Sequence, residues 1–154
     1  MNHLRSWDTV TAVSKSKMDL ERVLKRYGAA SFGLNQDYST GRFFVAFSMP
    51  KSLRIKGTER TQIRLPVEIE AVRARLELIP QFHMRDEGWK AAQAERVAWR
   101  HILLLVEAAL AAADSQVQTL EQALFAHSLV DTPRGPMLAG DVINEMRRLT
   151  AGAK

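Results

Sequence analysis

The chain of 154 residues contains no cysteine and 5 prolines, and aromatic residues make up only 7% of it. The absence of cysteine excludes disulfides and thiolate metal sites. No stretch reaches the roughly 18 uninterrupted apolar residues of a membrane span. The first residues, MNHLRSWDTVTAV, also lack the apolar segment of a signal peptide. We therefore expect a cytoplasmic protein that is neither secreted nor inserted in a membrane.

The residues that are present describe a folded and basic protein. Hydrophobic residues make up 46% and charged residues 25% of the chain, and these proportions are typical of one globular domain of this length. Basic residues outnumber acidic residues by 22 to 17, which gives a net charge of +5. Lys and Arg placed against phosphates release counterions, so the excess charge suggests nucleic acid as a partner.

The first half of the chain predicts one helix followed by a hairpin. We interpret residues 1–14 as a flexible lead-in and Ser16 as the cap of a helix in KMDLERVLKRYG, which ends at Gly28. The next segment, AASFGLNQDYSTGRFFVAFSMP, alternates as two antiparallel strands do, with turn residues between them. Its second strand directs four apolar residues to one face: Phe43, Val45, Phe47 and Met49.

A basic strip follows in SLRIKGTERTQIRLP, where apolar and basic residues alternate. We predict strand here too, with Leu53 and Ile55, and then Ile63, Leu65 and Val67, facing the core. The intervening basic side chains then face away from the core. Together with neighbouring positions, the strip comprises Arg42, Lys51, Arg54, Lys56, Arg60 and Arg64.

The second half predicts helices. A helix begins at Pro66 and ends before Pro80, QFHMRDEG is a connector, and a helix of about seven turns runs from Trp89 to Ala113. The segment TLEQALFAHSLV has a capping-box spacing at Thr119, DTPRGPMLAG is a loop, and DVINEMRRLTAG is a last helix.

The predicted fold class is thus α+β. It has an N-terminal helix, a small antiparallel sheet of three to four strands, and a helical C-terminal half with one long central helix. We predict a single domain over 15–154, in which 15–66 form the first helix and the sheet and 67–154 form the helical half.

Two segments resemble a family of small uncharacterised proteins from phages, prophages and mobile elements. They are MDLERVLKRYGAASFG with the following strand FVAF, and ERVAWRHILLLVEAALAAADSQVQTLEQALFAH. The resemblance covers about 15–49 and 93–130. This chain departs from it in a longer PKSLRIKGTERT segment and in DTPRGP after FAHSLV. The resemblance implies a setting near phage DNA metabolism and carries no residue roles.

Basic residues of the sheet and of the long helix are the candidate nucleic-acid site. Alternation places Phe44 on the same face as Arg42, and single-strand binders stack bases on such exposed rings. The alternative is that the strip is only the solvated face of the sheet. The candidate residues are Arg42, Lys51, Arg54, Lys56, Arg60, Arg64, Lys90, Arg96 and Arg100.

Two other functional classes stay open. The long helix is apolar nearly all round from Ile102 to Val106, so either the monomer covers it or it meets a second copy or another protein. A weaker alternative is a metal-dependent nuclease that uses His83, Asp86 and Glu87. No catalytic motif is present. We therefore favour a non-enzymatic accessory factor without a cofactor or metal, and a protein-interaction factor is the alternative.

Overall fold

The protein was analysed as a computed structural model that describes residues 6–51, 53 and 59–152. The fold is α+β, as the sequence predicts. The first part contains α1 (Val13–Arg26), β1 (Ser31–Asp37), β2 (Arg42–Pro50) and β3 (Arg60–Val67). The second contains α2 (Ile69–Leu76), α3 (Pro80–His83), α4 (Glu87–Asp114), α5 (Leu120–Ala123), a 3₁₀ turn (Phe125–His127), β4 (Leu129–Thr132), β5 (Gly135–Leu138) and α6 (Ala139–Ala151).

The first three strands form an antiparallel sheet in the order β1-β2-β3. In its register Val45 lies opposite Leu65, and Phe47 lies opposite Ile63. These four side chains are at most 1% exposed. Because successive side chains of a strand point to opposite faces, this register gives the sheet an apolar inner face and leaves the basic residues of β3 on the outer face.

The predicted end of the first helix is confirmed at Gly28. This residue has φ +95°, a conformation that glycine adopts without the steric cost of a Cβ. Its N–H donates to the carbonyl of Lys25, and the N–H of Ala29 donates to that of Leu24. This pair of hydrogen bonds is a Schellman motif, and it turns the chain from α1 into β1.

The long helix α4 covers the inner face of the sheet. Its apolar residues belong to one continuous core with α1, α2, α5 and the strands. Trp99 is 2% exposed, and Ile102, Leu103 and Val106 are buried. The monomer therefore covers most of the apolar band, although Leu104 and Leu105 remain about 40% exposed.

The predicted lead-in over 1–14 contacts the domain through several of its described residues, among them Trp7 and Thr9. Helix α1 begins at Val13, and Ser16 lies inside it as a buried residue instead of capping it. The preceding segment is anchored because the side-chain amide of Gln93 donates to the carbonyls of Trp7 and Thr9. No local sequence pattern indicates these long-range contacts. From its sequence alone, the segment is therefore indistinguishable from a flexible terminus.

One predicted role of proline is wrong and one is confirmed. Pro66 does not begin a helix; it lies within β3 opposite Phe44, and α2 begins at Ile69. The predicted helix does end before Pro80, at Leu76, and Pro80 also starts the single turn of α3. Proline is tolerated both in edge strands and in the first turn of a helix. As β3 is an edge strand, sheet pairing decides the role of Pro66.

The segment DTPRGPMLAG is a hairpin and not the predicted loop. Strands β4 and β5 pair as a separate two-stranded sheet, with Thr132 opposite Gly135 across the turn. Gly135 has φ +102°, and the hydroxyl of Thr132 donates to its carbonyl. The strand segments LVDT and GPML do not alternate apolar with polar residues, and Gly and Pro in this region are typical of loops. The additional strand predicted at Leu53 and Ile55 falls mostly outside the described residues.

Candidate nucleic-acid interface

The outer face of the three-stranded sheet presents Arg42, Phe44 and Arg64. Their positions follow from the register, in which Phe44 lies opposite Pro66 and Ala46 lies opposite Arg64. Phe44 and Arg64 are therefore diagonal neighbours on the same face, and Arg42 lies at the start of the same strand as Phe44. Phe44 and Arg64 are half-buried and Arg42 is exposed.

Arg64 stacks on Phe44. The guanidinium carbon lies 3.9 Å from the centroid of the ring, which is a cation–π contact. Among the described residues neither Arg64 nor Arg42 forms an ion pair with a carboxylate. Both guanidinium groups therefore retain donors and charge that an anionic ligand can use.

A cleft of about 620 Å³ separates this face from the C-terminal hairpin and α6. Arg42, Phe44 and Arg64 lie on its sheet side, and His127 and Asn144 come from the opposite wall. The remaining lining residues are Asp37, Pro66, Glu68, Ala126, Leu129, Pro136, Met137, Leu138, Gly140 and Asp141. Sequence reasoning missed this opposite wall because it treated the hairpin as a loop.

Three carboxylates also line the cleft, those of Asp37, Glu68 and Asp141. The carboxylate of Asp37 accepts hydrogen bonds from the hydroxyl and the backbone N–H of Ser39, at 2.6 and 2.9 Å. These bonds lower the pKa of Asp37, so it is ionised at neutral pH. The cleft is thus not uniformly basic, and Arg42 and Arg64 of the sheet are the arginines that line it.

His127 contributes a titratable group to the far wall. Burial lowers the pKa of its imidazole, and the charge of the nearby Asp141 acts in the opposite direction to a smaller extent. The ring is therefore mainly neutral at pH 7, with one nitrogen as a donor and the other as an acceptor. Such a group can hydrogen-bond to the edge of a nucleobase.

Arg60 and Lys51 occupy different positions from the two cleft arginines. Arg60 donates to the hydroxyl and the carbonyl of Ser48 and to the carbonyl of Gly28, at 2.8 to 3.1 Å, so several of its donors are used within the fold. Lys51 is ion-paired with Glu59 at 3.0 Å and, by alternation along the strand, points to the inner side. Arg54 and Lys56 lie outside the described residues.

The candidate residues on α4 belong to a separate surface, because α4 packs on the inner face of the sheet. Lys90 is 4% exposed, and its ammonium lies 2.8 Å from a carboxylate oxygen of Glu77 and 3.3 Å from one of Glu87. The two carboxylates therefore compensate the charge of Lys90 within the fold, and burial keeps its ammonium away from a ligand. Arg96 donates twice to the side-chain oxygen of Gln93, and Arg100 is half-buried.

Two of the three residues considered for a nuclease, Asp86 and Glu87, have structural partners. Asp86 caps α4 by accepting from the N–H of Trp89 at 2.8 Å, and Glu87 pairs with Arg73 at 2.6 Å and with Lys90. Nowhere in the described part of the chain do three or more His, Asp or Glu residues group as a metal site requires.

Comparison of the chain with protein-family models, with curated proteins and with solved structures gives no match. Within the described ranges, none of the helices combines the length and the apolar character needed to span a bilayer.

Proposed function

We propose that this protein is a non-enzymatic nucleic-acid-binding accessory factor, of phage or mobile-element origin and acting in the cytoplasm. It takes a single strand along the outer face of the sheet and into the adjoining cleft. The observation that carries the proposal is the group formed by Arg42, Phe44 and Arg64. Its two guanidiniums have no ion pair within the described residues, and they flank an aromatic ring on a face that the core helices leave open.

The arrangement of these three side chains suits a single-stranded nucleic acid better than a duplex. Duplex DNA is read by a helix or a ribbon inserted into its groove, whereas single strands lie on basic faces and stack their bases on rings or guanidinium planes. Phosphates bind Arg42 and Arg64, and a base stacks against the Phe44–Arg64 pair. The neutral His127 and the amide of Asn144 are then available to hydrogen-bond the edge of that base.

The carboxylates in the cleft favour a second candidate function. Asp37, Glu68 and Asp141 oppose a phosphate backbone, but they suit a peptide that carries both charges. A protein-interaction factor, such as an inhibitor or adaptor of a host or phage enzyme, would use the same cleft. Its partner would present an acidic segment to Arg42 and Arg64.

The test is fluorescence anisotropy of labelled single-stranded and duplex DNA and RNA at several salt concentrations. Arg64→Glu and Arg42→Glu should each weaken single-strand binding and reduce the slope of log K against log salt by about one. Arg75→Glu is the matched control, since Arg75 is exposed on α2, outside the cleft, and the substitution makes the same change in net charge.

Two results would overturn the proposal. One is the absence of binding at low salt, which would favour the protein-interaction alternative. The other is an equal loss of affinity in Arg75→Glu, which would mean that net charge and not the cleft attracts the nucleic acid.

A further inference from the structure

The C-terminal unit of the fold, residues 129–151, buries little of its own apolar surface. Ala139 is its one fully buried residue among those described, and the continuous core contains no residue after Leu124. On α6, Met146 is 61% and Leu149 is 66% exposed. A two-stranded hairpin is only marginally stable in water unless its apolar face is covered. Burial of the exposed apolar residues of this unit against a partner would therefore stabilise it.

The exposed residues of α6 line an apolar groove against the hairpin. Its volume is about 390 Å³, and its apolar walls come from Met137, Val142, Met146 and Leu149. Val142, Met146 and Leu149 follow the spacing of one helical stripe. The cleft described above lies on the other side of α6, where Gly140 and Asn144 line it. The groove is thus a second surface, which shares only Met137 with the lining of the cleft.

The rim of the groove is electrically balanced. Asp131, Arg134 and Glu145 line the groove, and Arg148 lies outside the lining, next to Glu145. Arg134 is ion-paired with Glu145 across the groove. The side chain of Arg148 is 80% exposed, and its guanidinium nitrogen lies 3.9 Å from a carboxylate oxygen of Glu145. Asp131 is exposed. With Arg148 included, this rim has no net charge, although the chain as a whole carries +5.

We propose that this groove is occupied by the same groove of a second copy of the chain, in a two-fold symmetric homodimer. An isologous contact places a patch against itself, and a rim with equal numbers of opposite charges can pair with its own copy. Two chains that each carry +5 repel each other through their basic surfaces. Association is therefore least opposed at a patch that is apolar and has no net charge. Met146 and Leu149 of each copy would fill the groove of the other.

The experiment is sedimentation equilibrium of the full chain at concentrations up to about 1 mM, which captures even a millimolar dissociation constant. We expect a concentration-dependent rise from 17.3 kDa to twice that mass. The double variant Met146→Glu/Leu149→Glu should raise the dissociation constant at least about 20-fold. Both residues are exposed in the monomer, and circular dichroism checks that the variant keeps its helix content.

Two control variants locate the interface. Leu78→Glu changes an equally exposed leucine on another surface and should leave the dimer intact. Leu105→Glu tests the exposed side of α4 and should also leave it intact. A chain that stays at 17.3 kDa throughout the range, or a dimer lost in Leu105→Glu and kept in the double variant, would overturn the proposal. Neither result depends on whether the chain binds nucleic acid.

Discussion

The side-chain amide of Gln93 donates a hydrogen bond to the carbonyl of Trp7 at 2.7 Å, across 86 positions of sequence. The same nitrogen donates to the carbonyl of Thr9 at 3.1 Å, and the side-chain oxygen accepts from Arg96. Gln93 is 2% exposed. One buried amide thus ties the N-terminal segment to the long helix.

Gln93→Ala should destabilise the fold by about 1–3 kcal/mol, because it leaves buried carbonyls without their donor. Urea denaturation measures the loss. Gln81→Ala, at an exposed position on α3, should change the free energy of unfolding by less than about 0.5 kcal/mol. Equal midpoints for the two variants would contradict an anchoring role for Gln93.

Gly28→Ala should cost about 1–2 kcal/mol, since an L-residue is strained at φ +95°. Gly33→Ala is the matched comparison: a Cβ there would meet its nearest neighbour at 3.8 Å, an ordinary contact. We expect that variant to be neutral or slightly stabilising, because alanine restricts the unfolded chain. Thermal unfolding of both variants makes the comparison.

Asp86→Ala should lower the free energy of unfolding by about 0.5–2 kcal/mol through loss of the cap of α4. Asp86→Asn keeps a side-chain oxygen for the N–H of Trp89 and should retain most of the stability. If His83, Asp86 and Glu87 formed a nuclease site, the protein would cleave nucleic acid only with a divalent metal. Both Asp86 variants would then abolish the cleavage. Denaturant titration and a nuclease assay with and without divalent metal separate the two roles.

The stability of the protein should fall as the pH drops below about 6.5. Burial lowers the pKa of His101 and His127 below that ordinary value, so between the folded and unfolded pKa values the unfolded state binds more protons. His101 lies edge-on to Trp7 at 5.2 Å and 3.0 Å from the hydroxyl of Ser6.

His101→Gln should therefore flatten part of this pH dependence, and the double variant with His127→Gln should flatten more of it. Urea midpoints between about pH 5 and pH 8 provide the measurement. A wild-type profile that rises toward acid pH would show that the sign is wrong.

Local patterns predicted the parts of this fold that local interactions stabilise. Alternation identified the hairpin of β1 and β2 and the inward face of Val45 and Phe47, and the spacing of Thr119 and Gln122 identified a capping box that is present. The glycine after α1 likewise marked a Schellman motif. The residues of the capping box and of the Schellman motif lie within a few positions of one another, and one short turn joins the two strands of the hairpin.

The sequence by itself determined that the chain is basic and α+β, and that one face of its sheet is apolar. Only the tertiary structure decided which basic residues remain available: it buries Lys90 against Glu77, ties Arg60 to Ser48, and leaves Arg42 and Arg64 beside a cleft. The physical reason is that burial and charge pairing depend on contacts between distant segments. The opposite wall of the cleft, 60 or more positions further along the chain, is the clearest example.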